Sequence, residues 1–295
     1  MRGRRSTTGY LLIVLSAALW GLLPLFTRGL ITAGWSSLCV ASVRSLLSAA
    51  VSLGCLLFCG ELRKFRAKDI PFYLLYGIFA VGGTFLFYTI ALQYLSSAMA
   101  SVLLYMGPTF VNVLNRLVYK IPFTRGKQIS LVVTLLGCAL VVRLYDPASV
   151  SANLIGILCG LLSGFCYSLT TVIGEAAQSR YPGRVNSWLI MLFGSVAFLV
   201  AKPFWDIPVQ SGAIWFNAIC LAVIGSVIPY TLYLSGLEMD VDSGAASILS
   251  TLEVVFATCV GVACFHDPLE WQQLLGIAVV FAGIVIVRRE KVPET

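Results

Sequence analysis

From Phe72 to Asn115 the chain runs for 44 residues without an Asp, Glu, Lys or Arg. A helix needs about 20 mostly apolar residues to cross a bilayer, so this run holds two crossings and a tight turn. In hydrocarbon every backbone polar group must be bonded internally, which leaves helices or a closed barrel. Barrel strands are short and alternate apolar with polar residues; here whole stretches are continuously apolar, and helices are expected. The rest of the 295-residue chain has the same character, with 59% hydrophobic residues, 11% charged and a mean hydropathy of +0.92. A soluble domain carries about 25% charged residues. The fold class is therefore an all-α integral membrane protein.

Breaks at charge, proline and glycine clusters place ten spans, at about residues 9–29, 35–59, 70–92, 97–119, 127–144, 153–177, 185–203, 212–237, 243–265 and 269–288. The opening stretch MRGRRSTTGYLLIVLSAALW has the basic and apolar regions of a signal peptide. It lacks a clear A-x-A cleavage site, and it reads as a retained first span. Basic residues in short loops set orientation. Of the 20, sixteen fall on one side, among them Arg63, Lys64, Arg66, Lys68, Arg125, Lys127, Arg180 and Arg184. The other side holds Arg28, Arg143 and Lys202, and Arg44 lies inside the second span. Both termini are thus expected in the cytoplasm, and topology accounts for the net charge of +7 without a nucleic-acid partner. The nine cysteines lie in apolar runs without a C-x-x-C pair, and His266 is the one histidine. No metal site and no cofactor are expected.

The fourth and fifth spans match the ninth and tenth at a constant offset of 146: Ser97 with Ser243, Ala100-Ser101 with Ala246-Ser247, Phe110 with Phe256, Pro122 with Pro268, Gly137 with Gly283, Arg143 with Arg289. The third and eighth match at 145, Tyr88 with Tyr233 and Leu92 with Leu237, and the first and sixth, less securely, at 143, Gly21 with Gly164. Five spans per copy is an odd number, so the second copy enters the membrane from the opposite side. Such inverted repeats mark many secondary transporters, with the substrate site near midplane between the copies. The expected architecture is ten helices as two inverted five-helix repeats, at 9–143 and 152–288.

The segments ALQYLSSAMASVLLYMGPTFV (Ala91 to Val111) and KIPFTRGKQ (Lys120 to Gln128), with their counterparts STLEVVFA and HDPLEWQQLLGIAVVFAGI, resemble the EamA-type branch of the drug/metabolite transporter superfamily. The resemblance covers nearly the whole chain. It implies ten helices, a central cavity and movement of small metabolites or drugs by alternating access. The family often carries Glu-Pro-Val in the ninth span; here the residues are Glu253-Val254-Val255, so the implied kink has no proline. Where the family often ends its fourth and ninth spans in Gly-Glu, this chain has Lys120-Ile121 and His266-Asp267.

Glu253 interrupts the uncharged run SILSTLEVVFATCVGVACF. An acid at bilayer depth must face the bundle interior or a wet cavity, and Ala246, Ser250, Glu253, Ala257 and Gly261 form one small-residue helical face. Three roles stay open: contact with a cationic substrate group, proton coupling, or an interhelical bond that pins the span. Arg44 either pairs with Glu253, binds an anionic group or snorkels to a headgroup. Trp20 is a candidate cavity wall, and Pro24, Pro108 and Pro229 are candidate gating hinges. Tyr88, Tyr105, Asn112, Tyr230, Tyr233 and Ser250 are candidates for fixing a ligand in an apolar pocket. Glycines 156, 160 and 164 are two G-x-x-x-G steps suited to close helix approach.

The reading is a secondary transporter in a cell (plasma or inner) membrane. It moves a small organic molecule, coupled to protons or to exchange; oligomeric state is left open. The alternative is a non-transporting membrane assembly subunit. An enzyme is not expected, since no nucleophile–base pair or metal cluster and none of the common catalytic motifs occurs. Nothing resembles a channel's charge ring or filter.

Overall fold

The computed structural model describes residues 2–95, 97–141, 144–145, 154–201, 211–266 and 269–289. Among these there are helices and turns and no strand. Arg143 and Pro268 of the repeat, Asp267, Lys202-Pro203 at the end of the seventh predicted span, and the unit boundaries at 143 and 152 lie outside the described residues.

Six helical stretches among the described residues are long and apolar enough to cross a bilayer: Ser6–Thr32, Ser37–Phe58, Ala67–Tyr94, Leu154–Ala177, Gly212–Leu237 and Ser243–Phe265. Shorter apolar helices run over Gly183–Leu199 and Trp271–Ile286. Leu117, Val132, Leu136, Leu158 and Phe216 point outward and exposed. Serines and threonines are buried instead, Ser48, Ser163, Ser168, Thr171, Ser187 and Ser226 among them. An apolar exterior over a partly polar interior is the arrangement a bilayer favours.

Several of the long stretches are interrupted, and the breaks before Pro24 and Pro108 have a local chemical cause. Helix α1 (Arg2–Trp20) stops at Gly21-Leu22, and α2 (Leu23–Thr32) restarts with Pro24 in its first turn. Proline is preorganised for that position and lacks an N–H. After α3 (Ser37–Phe58), α4 (Ile70–Tyr76) leads through a π-helical turn, Gly77–Gly82, into α5 (Gly83–Tyr94). Helix α6 (Ser97–Leu104) breaks before α7 (Gly107–Val118), where Pro108 cannot donate to the Leu104 carbonyl. The single helices α8 (Arg125–Val141) and α9 (Leu154–Ala177) follow, then α10 (Gly183–Gly194) and α11 (Val196–Ala201), parted at Ser195. Helix α12 (Gly212–Ala222) passes through a second π turn, Val223–Val227, into α13 (Ile228–Leu237). The chain ends in α14 (Ser243–Ser250), α15 (Leu252–Phe265) and α16 (Trp271–Arg289).

The interruptions recur at the offsets of the sequence repeat. The two π turns coincide at 145, and the break at Tyr105-Met106 maps at 146 onto Thr251. The second break arises without proline: the hydroxyls of Ser247, Ser250 and Thr251 donate to the carbonyls of Gly244, Ser247 and Ile248 at 2.8, 2.7 and 2.6 Å. Back-bonding of this kind competes with the helical ladder and bends it. The helix termini repeat as well, since Lys120 (φ 58°) and His266 (φ 55°), 146 apart, both take the left-handed conformation.

Helices α8 and α16 pack against each other through equivalent contacts. A Cβ on Gly137 would strike the backbone of Val280 and Gly276, and one on Gly283 would strike Thr134 and the Ser130 carbonyl. The Ser130 hydroxyl donates to the Gly283 carbonyl at 2.7 Å. Gly160 and Gly164 in α9 admit Leu103 and the backbone of Leu103-Leu104, so the G-x-x-x-G steps do serve close approach.

One end of the bundle is tied by polar contacts. The Lys127 ammonium donates to Asp242 at 2.8 Å, and the other Asp242 oxygen caps α14 by accepting from the Ala245 N–H. Asn115 donates to Ser243 at 2.7 Å, and Tyr73 donates to Asn186. Asp69 receives Arg180 at 2.5 Å and Tyr181 at 2.9 Å. In the turn Glu61–Lys64, a hydrogen bond from Lys64, with Arg184 alongside, holds the Glu61 carboxyl below its ordinary value.

Candidate functional site

Toward the other end the helices part around a cavity of about 350 Å³. Helix α2 lines it with Leu23, Pro24, Thr27, Arg28 and Ile31, one face at helical spacing. Helix α3 adds Ser37, Val40, Ala41 and Arg44. From α5 come Thr84, Phe85, Tyr88, Thr89 and Leu92, and from the end of α6 come Ser101, Leu104 and Tyr105. Helix α15 contributes Glu253 and Ala257. Leu221 of α12 and the rings of Trp20, Tyr167 and Tyr230 complete the lining, the rings forming its floor.

The floor is a cluster of rings. Trp20 meets Tyr230 edge-on at 5.2 Å between centroids and Tyr167 at 6.1 Å, and it tilts against Tyr233 at 5.6 Å. Such edge-to-face pairs add about 0.5–1.5 kcal/mol beyond burial. Tyr167 donates to Ser250 at 3.2 Å, and Tyr233 shares a 2.7 Å hydrogen bond with Thr171. Ser250 and Tyr233 therefore support the floor from below. Asn112 lies farther down, donating to the Pro108 carbonyl at 2.8 Å.

Arg44 makes no close ion pair with Glu253. Its Nε donates to Ser226 at 2.6 Å and its Nη2 to the Gly225 carbonyl at 2.8 Å, and the guanidinium lies 4.2 Å over the Phe85 ring. The reason is in the helix: Pro229 has no N–H to give the carbonyl four residues back, and that carbonyl is Gly225. Arg44 fills the vacancy, and Ser48 bonds the Ala222 carbonyl at 3.3 Å. The predicted hinge Pro229 thus sits behind the π turn, and Ser16 donates to its carbonyl at 2.8 Å. Pro108 lies at the α6–α7 break, beside the cavity and outside its lining.

Glu253 is the acid among the described lining residues, and its carboxylate makes no hydrogen bond or ion pair with any described residue. Of the other sequence candidates, Arg44, Trp20, Tyr88, Tyr105, Tyr230 and Pro24 share the cavity with it; Asn112, Tyr233, Ser250, Pro108 and Pro229 do not. Sequence reasoning passed over Phe85, Tyr167, Ser101 and Thr89. Tyr167 alone carried a signal, a lone phenol in the glycine-rich stretch of α9.

Helices with an apolar exterior, interrupted around a partly polar central cavity, define a multi-pass membrane protein of the transporter class. The EamA-like transporter family matches residues 7–143 and 154–289. The chain belongs to that family and is a membrane transporter. An uncharacterized transporter of Archaeoglobus fulgidus is 32% identical over 282 residues, 94% of this chain and 95% of its own. A second from the same organism is 25% identical over 96% of this chain and 99% of its own. One from Clostridium kluyveri is 25% identical over 76% and 73%. A chain of known crystal structure superposes with a TM-score of 0.79 over 95% of this chain and 96% of its own at 16% identity, a likeness that carries the fold alone.

Proposed function

We propose that the protein is a secondary transporter that moves a small organic molecule across a cell membrane through ten spans arranged as two inverted repeats, 9–143 and 152–288. Both termini lie in the cytoplasm, and the cavity is the substrate site. The observation that carries this reading is the contrast between the two ends: an open, ring-lined cavity on one side of Trp20 and a tied, packed core on the other. Alternating access exchanges those two conditions around a fixed site. The recurrence of breaks, π turns and left-handed termini at the repeat offsets supports rocking of two equivalent units.

Glu253 contacts substrate or carries the coupling proton. The absence of any described hydrogen-bond partner argues against its only pinning α15. The test is flux in proteoliposomes, with and without a pH gradient. Glu253→Gln, at normal membrane abundance, is expected to abolish transport; unchanged kinetics and pH dependence would sink the assignment.

A further inference from the structure

The polar groups of the cavity divide into engaged and open ones. Arg44 is engaged through Ser226, Gly225 and the face of Phe85. The Tyr88 hydroxyl is engaged with Ser101 at 3.3 Å, and that of Tyr167 with Ser250. The Thr84 hydroxyl bonds the Ala80 carbonyl at 2.5 Å. Open among the described lining residues are the Glu253 carboxylate and the hydroxyls of Thr27, Ser37, Thr89, Tyr105 and Tyr230. The open set is thus one carboxylate and five hydroxyl oxygens in a cavity that Trp20 and Tyr167 also line. A carboxylate among aromatic faces is the chemistry that holds an ammonium group, by charge-assisted hydrogen bonds and by cation–π attraction. Beyond it the wall is apolar, with Leu23, Leu92 and Leu104, and the volume suits a small molecule.

We propose that the cavity recognises a protonated organic amine, its ammonium on Glu253 between Tyr105 and Tyr230 and its apolar body against the leucine-lined wall. The proposal rests on the transporter reading and names the substrate class of the same site. The lining arginines are Arg28 and Arg44, and Arg44 has two donors already engaged by the Gly225 carbonyl and Ser226.

The test is binding to the purified full-length protein, read by calorimetry and thermal stabilisation with four probes of one shape. These are phenethylamine, phenethyl alcohol, hydrocinnamate and phenylalanine. The amine is expected to bind at least about tenfold tighter than the alcohol and the acid, the gain of one charge-assisted hydrogen bond. Glu253→Gln is expected to remove that preference and Glu253→Asp to keep it. The wild-type comparison stands even if a variant fails to fold. Binding of the alcohol or hydrocinnamate as tight as the amine overturns the proposal, as does amine binding unchanged in Glu253→Gln. Phenylalanine binding without phenethylamine binding also overturns it and makes a lining arginine, Arg28 or Arg44, the carboxylate partner. Silence of every amine from methylamine to tryptamine at millimolar concentration overturns it too. Flux of a non-cationic substrate would leave the transporter reading standing while removing this one; amine binding without flux of any substrate would do the reverse.

Discussion

At the scale of the residue, Arg44 shows how a charge deep in a helix can act on backbone. An unbonded buried carbonyl costs about 1–3 kcal/mol, and Arg44 satisfies the one that Pro229 leaves at Gly225. Arg44→Gln should therefore lower thermal stability by about that amount, measured by unfolding of the purified protein. An arginine serving only as an anion ligand would leave stability unchanged and raise KM instead. Charges and tryptophan stand out in apolar helices, so Glu253, Arg44 and Trp20 were legible as site candidates from sequence. Phe85 was not, because an aromatic ring in a span looks the same whether it packs on a neighbour or faces a void. Asn112 and Tyr233 gave the same polar signal as Tyr105 and Tyr230, and only the three-dimensional packing separates those bonded to neighbouring groups from those facing the cavity.

At the scale of the element, the helix breaks teach that proline is one of two routes to an interruption. Helix α6 ends before Pro108, while α14 ends at Thr251 through back-bonded hydroxyls. Of the residues responsible, Ser250 read in the sequence as part of a small-residue packing face, which hid the bend. The helix ends carry a prediction of their own. A side chain in the left-handed conformation costs about 1–2 kcal/mol relative to glycine, less the added chain entropy of glycine. Lys120→Gly and His266→Gly should each stabilise by about 0.5–1 kcal/mol in thermal unfolding, His266 being the C-cap of α15. A second prediction concerns the tie between α8 and α14. Asparagine caps helices about as well as aspartate, so Asp242→Asn keeps the cap and removes the charge facing Lys127. Leaving a buried cation unpaired costs about 3–5 kcal/mol in the packed state. Spin labels at Arg125 and Met239 should then report a longer, broader distance distribution. If Asp242 acts only as a cap, the distribution will match the wild type.

At the scale of the whole molecule, the two ends are unequal in a way the repeat makes measurable. Lys127 corresponds at offset 146 to Gln273, which donates to the Val141 carbonyl at 3.0 Å, and Asn115 corresponds to Gly261. The tied end therefore has an ion pair and an amide where the matching positions are neutral or bare. Without substrate the conformation open toward Arg28 should predominate. The helical class was legible in composition, because hydropathy is a property of the chain. Which end closes was not, since it depends on contacts between residues more than a hundred positions apart. Orientation supplies the last prediction. On the proposed topology the tied end, with Lys68 in its loop, faces the cytoplasm, and Ser211, ahead of α12, lies outside. In a background without the nine native cysteines, an impermeant maleimide added to intact cells should label Ser211→Cys and spare Lys68→Cys until the membrane is broken. Cavity positions such as Ala257→Cys should label from outside as well, and a saturating substrate that drives the opposite conformation should slow that reaction. Labelling of Lys68→Cys in intact cells would reverse the topology, and with it the side to which the resting cavity opens.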